Sequence, residues 1–392
     1  MKKIKIAIVL YILVIASLFL YSYTQIDLNL HLSRLYYWQN IQNFFQHIGY
    51  FQRPLSTYLY IGITTLLFIF YLLFLRAVNK KYISRNQVWF LVIATTVILS
   101  FAYNAFSYDL FNYIFDAKII TFYHQSPYAH KALDFPYDHM LSFMHWTHRL
   151  YPYGPAWLVL TVPLSFLGLN FFTPTLFLFK FLASISFLGT TFFIGKILKK
   201  IYPEDELFGI AFFALNPLII IESLVSAHND IVMMFFAIFS FYLFIRNKYV
   251  ISLLLLIISI GIKFATAVMI PIFAFLFFLK KEVNWLIIFL SIVLMMVLTI
   301  ILASIRTNFQ PWYLLYPLPF CALISKKYYI FIPSVIISLF GILQYVPFLY
   351  LGNWDKPVPS LLFYSMIVGI ILSIVGVLFK SSRTLMDRKQ HK

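Results

Sequence analysis

Two aspartates seven residues apart, Asp109 and Asp116, stand in the segment SYDLFNYIFDAK. On a helix that spacing is about two turns, so both carboxylates share one face. A carboxylate beside a bound hydroxyl can remove its proton as a general base. The surrounding stretch, Tyr103–Tyr153, adds Asn112, Tyr128, Arg149 and Tyr153. A second polar group, Glu222, His228, Asn229 and Asp230, interrupts the apolar text ALNPLIIIESLVSAHNDIVMMFF, with Pro217 placed to bend the incoming helix. Lys263 stands alone in SIGIKFATAVMIP, Lys180 in FLFKFLAS, and Arg306, Gln310, Trp312 and Tyr313 gather in IRTNFQPWYLLYPLPF. Charges at a membrane edge are costly and default to function. Together these residue types suit a sugar carried on a lipid phosphate. Aromatic rings stack on sugar faces, amides bind hydroxyls, and cations hold the phosphate. Transfer from such a donor passes through an oxocarbenium-like state, by analogy with glycoside hydrolysis.

Each group also has a plainer reading. Lys263 at a span end can snorkel. The 222–230 stretch can be a satisfied polar connection, and Trp312 and Tyr313 can be interfacial belt residues. His139, His145 and His148 with Asp134 and Asp138 follow no established metal-ligand spacing. No P-loop, GxGxxG or nucleophile elbow is present. The expectation is therefore an active site with no metal and no cofactor, the lipid-linked sugar serving as co-substrate.

The composition says what must position these residues. The chain has 392 residues, 62% of them hydrophobic and only 11% charged, against roughly 25% charged in soluble domains. It reads as a polytopic membrane protein. Its net charge of +17 is concentrated at span ends, which argues for a lipid bilayer and against nucleic acid as partner. A lone Cys321 excludes an intramolecular disulfide. MKKIK precedes an apolar run without a small-residue cleavage site, so the first span is expected to be retained.

Apolar runs of roughly spanning length begin with Ile4–Tyr23, Leu55–Leu75 and Val88–Phe106. They continue through Leu176–Leu198, Leu207–Ile221, Ile231–Ile245, Val250–Ile262 and Ala265–Leu279. The last are Trp285–Ile305, Trp312–Ile324, Tyr329–Tyr350 and Leu361–Phe379. The expected architecture is thus all-α, with about twelve transmembrane helices in a single domain, 1–392. With the N-terminus inside, Lys2, Lys3, Lys5, Arg76, Lys80, Lys81, Arg85, Lys196, Lys199, Lys200, Arg246, Lys248, Lys280, Lys281, Lys326, Lys327 and the basic tail fall on the cytoplasmic side. That is the positive-inside pattern. It places both termini in the cytoplasm and the polar clusters on the outer face, with 107–153 as the active-site loop. The count holds only if 155–169 is a re-entrant or interfacial helix, tolerated where protein or a wet cavity covers it. A second outer segment, 26–52, reads as an amphipathic helix on the membrane. It sets Leu28, Leu35, Trp38, Ile41, Phe45 and Ile48 opposite Gln39, Gln42, Asn43 and Gln46.

On these residues the chain resembles the polytopic GT-C glycosyltransferases, and within them the bacterial α-1,6-mannosyltransferases that elongate cell-envelope mannans from polyprenyl-phosphate mannose. The resemblance rests on SYDLFNYIFDAK with SPY, then RLYPYGPAW, NPLIIIESLVSAHND, GIKFATAVMIP and QPWYLLYPLP, in that order from Asp109 to Pro319. Lys118 stands where an arginine is common. The resemblance implies inverting transfer outside the membrane without a metal, from a polyprenyl-monophosphate sugar to a glycan or glycolipid acceptor, with Asp109 as the first-loop catalytic aspartate. Asn112, Asp116, His228, Asn229 and Asp230 would orient hydroxyls. Arg149 and Lys263 would contact the phosphate, with Lys180 and Arg306 behind them. Two other readings stay open: a transporter or flippase of lipid-linked sugars, and an envelope polysaccharide ligase or polymerase.

Overall fold

Prolines, polar turns and left-handed residues cut the apolar text into helices of unequal length. The computed structural model describes residues 2–279 and 282–390, so Lys280 and Lys281 of the expected basic side, and the last two residues of the tail, lie outside the described residues. In chain order the helices are α1 (Lys2–Ser22), α2 (Tyr36–Gln46), α3 (Arg53–Asn79), α4 (Arg85–Ser100), α5 (Asp109–Thr121) and α6 (Pro155–Leu167). Then come α7 (Phe172–Ile201), α8 (Glu206–Ala214), α9 (Pro217–Ile220), α10 (Asn229–Ile245), α11 (Tyr249–Ile262) and α12 (Ile270–Phe278). The last are α13 (Trp285–Thr307), α14 (Leu318–Ala322), α15 (Tyr328–Leu343), α16 (Val346–Leu351) and α17 (Val358–Gln390). No strand occurs among the described residues. Backbone polar groups are therefore met within helices, as a lipid environment requires.

Six helical segments are long and apolar enough to cross a membrane, or seven if the bent pair Pro203–Ala214 and Pro217–Val225 is one span. This is the pattern of a multi-pass membrane protein, but it does not reproduce the expected count of about twelve. The difference lies in the shorter apolar runs. Asn216 caps α9 through a bond from the Leu218 N–H to its Oδ1 (3.0 Å), and Pro217 follows; the chain bends by 55° there. Ile231–Ile245 and Val250–Ile262 become α10 and α11, of 17 and 14 residues. Trp312–Ile324 becomes a 3-10 turn and the five-residue α14, broken at its prolines. At 1.5 Å per residue such pieces fall short of a hydrocarbon core about 30 Å thick.

Buried phenols tie the long helices together. Tyr11 OH lies 3.1 Å from Thr95 Oγ1, and Tyr21 OH lies 3.1 Å from Ser56 Oγ. Tyr60 and Tyr71 donate to the carbonyls of Ile342 (2.9 Å) and Phe212 (3.0 Å). Ion pairs gather several of the basic turns at one end of the bundle. Arg85 meets Glu206 (2.8 Å), Lys326 meets Asp205 (2.7 Å), and Lys200 donates to the Ile245 carbonyl. The polar clusters of the sequence gather elsewhere, around the N-termini of α5 and α10.

Two short helices frame that region. α6 has 13 residues, about 20 Å, and packs along α5, with Ser165 near its end 2.9 Å from Thr121. At its start the Gly154 N–H donates to the Ile262 carbonyl (3.2 Å). A Cβ on Gly154 would run into the Gly261 carbonyl, so glycine is what lets α6 and the end of α11 touch. α2 lies apart, and its faces differ from the expected arrangement. Gln42 and Gln46 point inward and are buried, bonding the backbone of Leu30, Leu32, Ile26 and Asp27. Tyr37, Ile41 and Phe44 are exposed instead. The preceding loop has backbone groups with no helix partners, and the two glutamines satisfy them.

Candidate active site

Asp109 is the first residue of α5. Its N–H donates to Ser107 Oγ (3.1 Å), and Asn104 Nδ2 holds the same turn through the Ser107 carbonyl (3.0 Å). A carboxylate in a first helical turn is favoured by the helix dipole. Facing it is His228, the residue that caps α10. His228 Nδ1 lies 3.6 Å from Asp109 Oδ2, and Nε2 lies 3.3 Å from Glu222 Oε2. These are ion-pair distances without straight hydrogen-bond geometry. Tyr345 donates to Glu222 Oε1 (2.8 Å), and the Trp312 ring stacks on the imidazole at 4.1 Å. His228 and Glu222 are fully buried, whereas the Asp109 side chain keeps 19% of its surface. A row of polar groups therefore runs outward from Tyr345 through Glu222 and His228, and Asp109 is its open end.

The turn that delivers His228 is strained. Ala227 has φ +54°, a left-handed conformation rare for a residue with a Cβ. It lies just past a π-helical turn, Ile221–Val225, whose carbonyls need donors. Lys180, reaching in from α7, donates to Leu224 O (2.7 Å) and Val225 O (3.0 Å). Lys180 is only 1% exposed, so the structure gives it a part in holding the turn, not at the mouth.

The next two residues of α10 continue the site. Asp230 is buried, and its Oδ1 accepts from Lys263 Nζ (2.7 Å). That ammonium sits among the rings of Tyr153, Tyr313 and Tyr316, each 5.8–5.9 Å away, within cation–π reach. Asn229 Oδ1 accepts from Tyr113 OH (3.3 Å), and the Tyr113 ring meets Tyr153 edge-on at 5.3 Å. Asn112 Oδ1, Ser223 Oγ, Ser226 Oγ, Asn229 Nδ2 and Asp230 Oδ2 are buried without a hydrogen-bond partner. Buried unpaired polar atoms are few in native proteins, and these gather around the N-termini of α5 and α10.

Asp116, two turns along α5, lies beside Tyr151 and Tyr153. Burial pushes its carboxyl up to about 8, so it holds its proton at neutral pH and can donate a hydrogen bond. Burial also raises the Asp109 carboxyl; His228, Lys263 and Arg149 counter the rise, and Asp230 adds to it. Arg149 is exposed with its guanidinium 4.0 Å from the Trp146 ring. Tyr128 is half-exposed, edge-on to Tyr151 at 5.0 Å.

The structure thus brings together Asp109, Glu222, His228, Asn229, Asp230, Tyr153, Lys263, Trp312 and Tyr313, with Arg149 within electrostatic reach. Arg306 lies exposed at the end of α13, and Gln310 opens the turn leading to Trp312 without a side-chain cap bond. Among the described residues no three His, Cys, Asp or Glu side chains converge as metal ligands. Asp134 faces His130 (3.6 Å), and Asp138 takes Lys118 (2.5 Å) and Tyr123 (2.7 Å). Tyr345 and Tyr316 were not legible as site residues. Each is one tyrosine in an aromatic-rich apolar run, and only the fold carries it to Glu222 or Lys263.

The family model described as alpha-(1->6)-mannopyranosyltransferase, N-terminal domain, matches residues 26–279. That stretch carries Asp109, Asp116, Arg149, Lys180, Glu222, His228, Asp230 and Lys263; Trp312, Tyr313 and Tyr345 lie beyond it. No curated protein and no solved structure matches the chain. With about two-thirds of its length so matched, the chain belongs to the alpha-(1->6)-mannopyranosyltransferase family, a GT-C-type family of mannosyltransferases.

Proposed function

We propose that this mannosyltransferase takes its mannosyl group from a polyprenyl-monophosphate mannose. It delivers the sugar to a hydroxyl of a glycan or glycolipid acceptor on the outer side of the membrane, with inversion and with Asp109 as general base. The observation that carries this reading is the position of Asp109 as the open end of a buried row, backed by His228 and Glu222. A base needs access to substrate and a fixed orientation, and among the carboxylates gathered at the mouth Asp109 combines them.

In the step itself, the acceptor oxygen attacks the anomeric carbon as its proton passes to Asp109. The bond from that carbon to the phosphate oxygen breaks, and its electron pair leaves with the polyprenyl phosphate. A single displacement inverts the centre. The leaving phosphate gains negative charge, so cations near it stabilise the transition state more than the bound donor. Lys263 uses one of its three N–H donors on Asp230, leaving two for the phosphate, with Arg149 at the rim as the second cation. Asp116, holding its proton, donates to a sugar oxygen, and Tyr153 and Trp312 offer ring faces. This scheme needs no metal or cofactor. It treats the chain as one integral-membrane unit with both termini in the cytoplasm. Purified full-length protein given a panel of polyprenyl-phosphate sugars and a mannoside acceptor tests it. Product with the mannose donor is expected; no product with any donor, alongside measurable flipping of a lipid-linked sugar, contradicts it.

A further inference from the structure

The helix that presents the base on one side walls a second cleft on the other. Successive helical residues are about 100° apart, so Ile114 and Lys118 lie opposite the face of Asp109 and Asp116. They line an open cleft of about 710 Å³ between α5, the 29–34 segment, the 138–143 turn and the start of α7.

We propose that this cleft is a distal subsite for the acceptor glycan, holding neutral sugar units remote from the one being mannosylated. The inference rests on the acceptor reading given above. Lys118 and Asp138 are paired at 2.5 Å, and Tyr123 donates to the same carboxylate, so these charges leave room for a neutral ligand; Arg34, the lining cation without an ion pair among the described residues, offers N–H donors to hydroxyls. Ser142, Thr173 and Asn170 add hydroxyls and an amide to the lining, His31 and His139 add imidazoles, and Phe143 and Phe172 give apolar faces. That mixture suits a polyhydroxylated chain with one apolar side. The wall is also strained in a way that burial does not offset. Leu169 and Asn170 are both left-handed, at φ +53° and +59°, and Leu169 is 72% exposed. The turn is held because Asn170 Oδ1 accepts from Thr121 Oγ1 (3.0 Å) at the end of α5. Such strain clusters at ligand clamps.

The cleft and the base are joined by one segment. Residues 138–143 line the cleft, and the same strand of chain continues to His145, whose ring lies 3.9 Å from that of Tyr108, the neighbour of Asp109. It then reaches Arg149. An extended acceptor lying along this segment passes from cleft to base around α5, which is about 10–12 Å thick.

The test compares a mannobioside with a mannotetraoside acceptor, using the full-length protein in nanodiscs. His31→Trp and Ser142→Trp fill the cleft from two exposed positions, and Tyr137→Trp, 96% exposed outside the lining, is the control. Wild type and control are expected to show a KM for the longer acceptor about tenfold lower, or about 1.4 kcal/mol. Both filling variants are expected to lose that preference at matched thermal stability. Saturation-transfer NMR with mannotetraoside is run in parallel and is expected to lose its signal in the filling variants while Asp109→Asn keeps it. A length preference unchanged in both filling variants, or none in wild type, overturns the subsite. Binding lost in the filling variants but no transfer by wild type supports the cleft and sinks the transfer scheme instead.

Discussion

Asp109 and Asp116 share a helix face and a residue type, and their surroundings act differently on the two carboxyls. Asp109 has His228, Lys263 and Arg149 to offset burial. Burial alone acts on Asp116 and carries it to about 8. The acid limb of the kcat/KM profile reports the free base. Because the Asp109 pKa is raised, activity is present at higher pH and falls as pH drops through a value above the ordinary aspartate figure of about 3.9. Lys263 is one of the charges holding that value down, so Lys263→Met moves the limb to higher pH; a profile that stays put shows Lys263 is not near the base. The same substitution lowers kcat by about tenfold to a thousandfold, as expected if the ammonium supplies a few kcal/mol to the leaving phosphate. Asp116 makes a prediction about stability. The folded state keeps this proton up to about pH 8, while the unfolded chain releases it near 3.9. Between those values the native state binds more protons, so this group's contribution to stability declines as pH rises. Asp116→Asn, which imitates the neutral acid, gains thermal stability relative to wild type across that window. A difference that does not change between pH 5 and 8 contradicts it.

At the scale of elements, what the sequence made legible were the residues that break rules locally. Asp109, the 222–230 group and Lys263 stood out because polar atoms in apolar text need a reason. What could not be read was partnership across the chain. Lys180 looked like a free cation near a membrane edge, and it caps a π-helical turn some forty residues away. The α2 glutamines read as the wet face of an amphipathic helix, and two of them are the buried face, because periodicity gives the stripe but not its direction. The contact between α6 and α11 was equally hidden, since Gly154 and Gly261 carry no side chain to signal it. It yields a prediction. Gly154→Ala places a Cβ against the Gly261 carbonyl, and overpacking of this kind costs about 1–3 kcal/mol. The shift carries the adjacent Tyr153 away from Lys263, so turnover falls with stability. Unchanged activity and melting temperature contradict the close approach.

At the scale of the whole molecule, composition announced a helical membrane protein, and the helices are there. The number of spans was the least legible quantity, because an apolar run says nothing about a proline-capped bend inside it or a 14-residue limit. Charge is the better guide to orientation. Arg85, Lys200, Lys326 and the acidic turn 204–206 are drawn into ion pairs and backbone bonds at one end, and Asp109 and its partners lie away from them. Single cysteines near Lys80, Lys199 and Lys326 are expected to label from the cytoplasm, and ones near His130 and Asp355 from outside. Outside labelling at position 199 contradicts the placement of α6 as a helix that does not cross.

The claim on which the account stands is that Asp109 is the base, and one substitution addresses it. Asp109→Asn keeps the shape of the side chain and the turn at Ser107 but cannot take a proton. Mannosyl transfer from polyprenyl-phosphate mannose to a mannoside acceptor is measured alongside donor binding. Turnover is expected to fall by about 10²–10⁴, with donor binding and thermal stability close to wild type. Turnover above about a tenth of wild type, with binding intact, contradicts it.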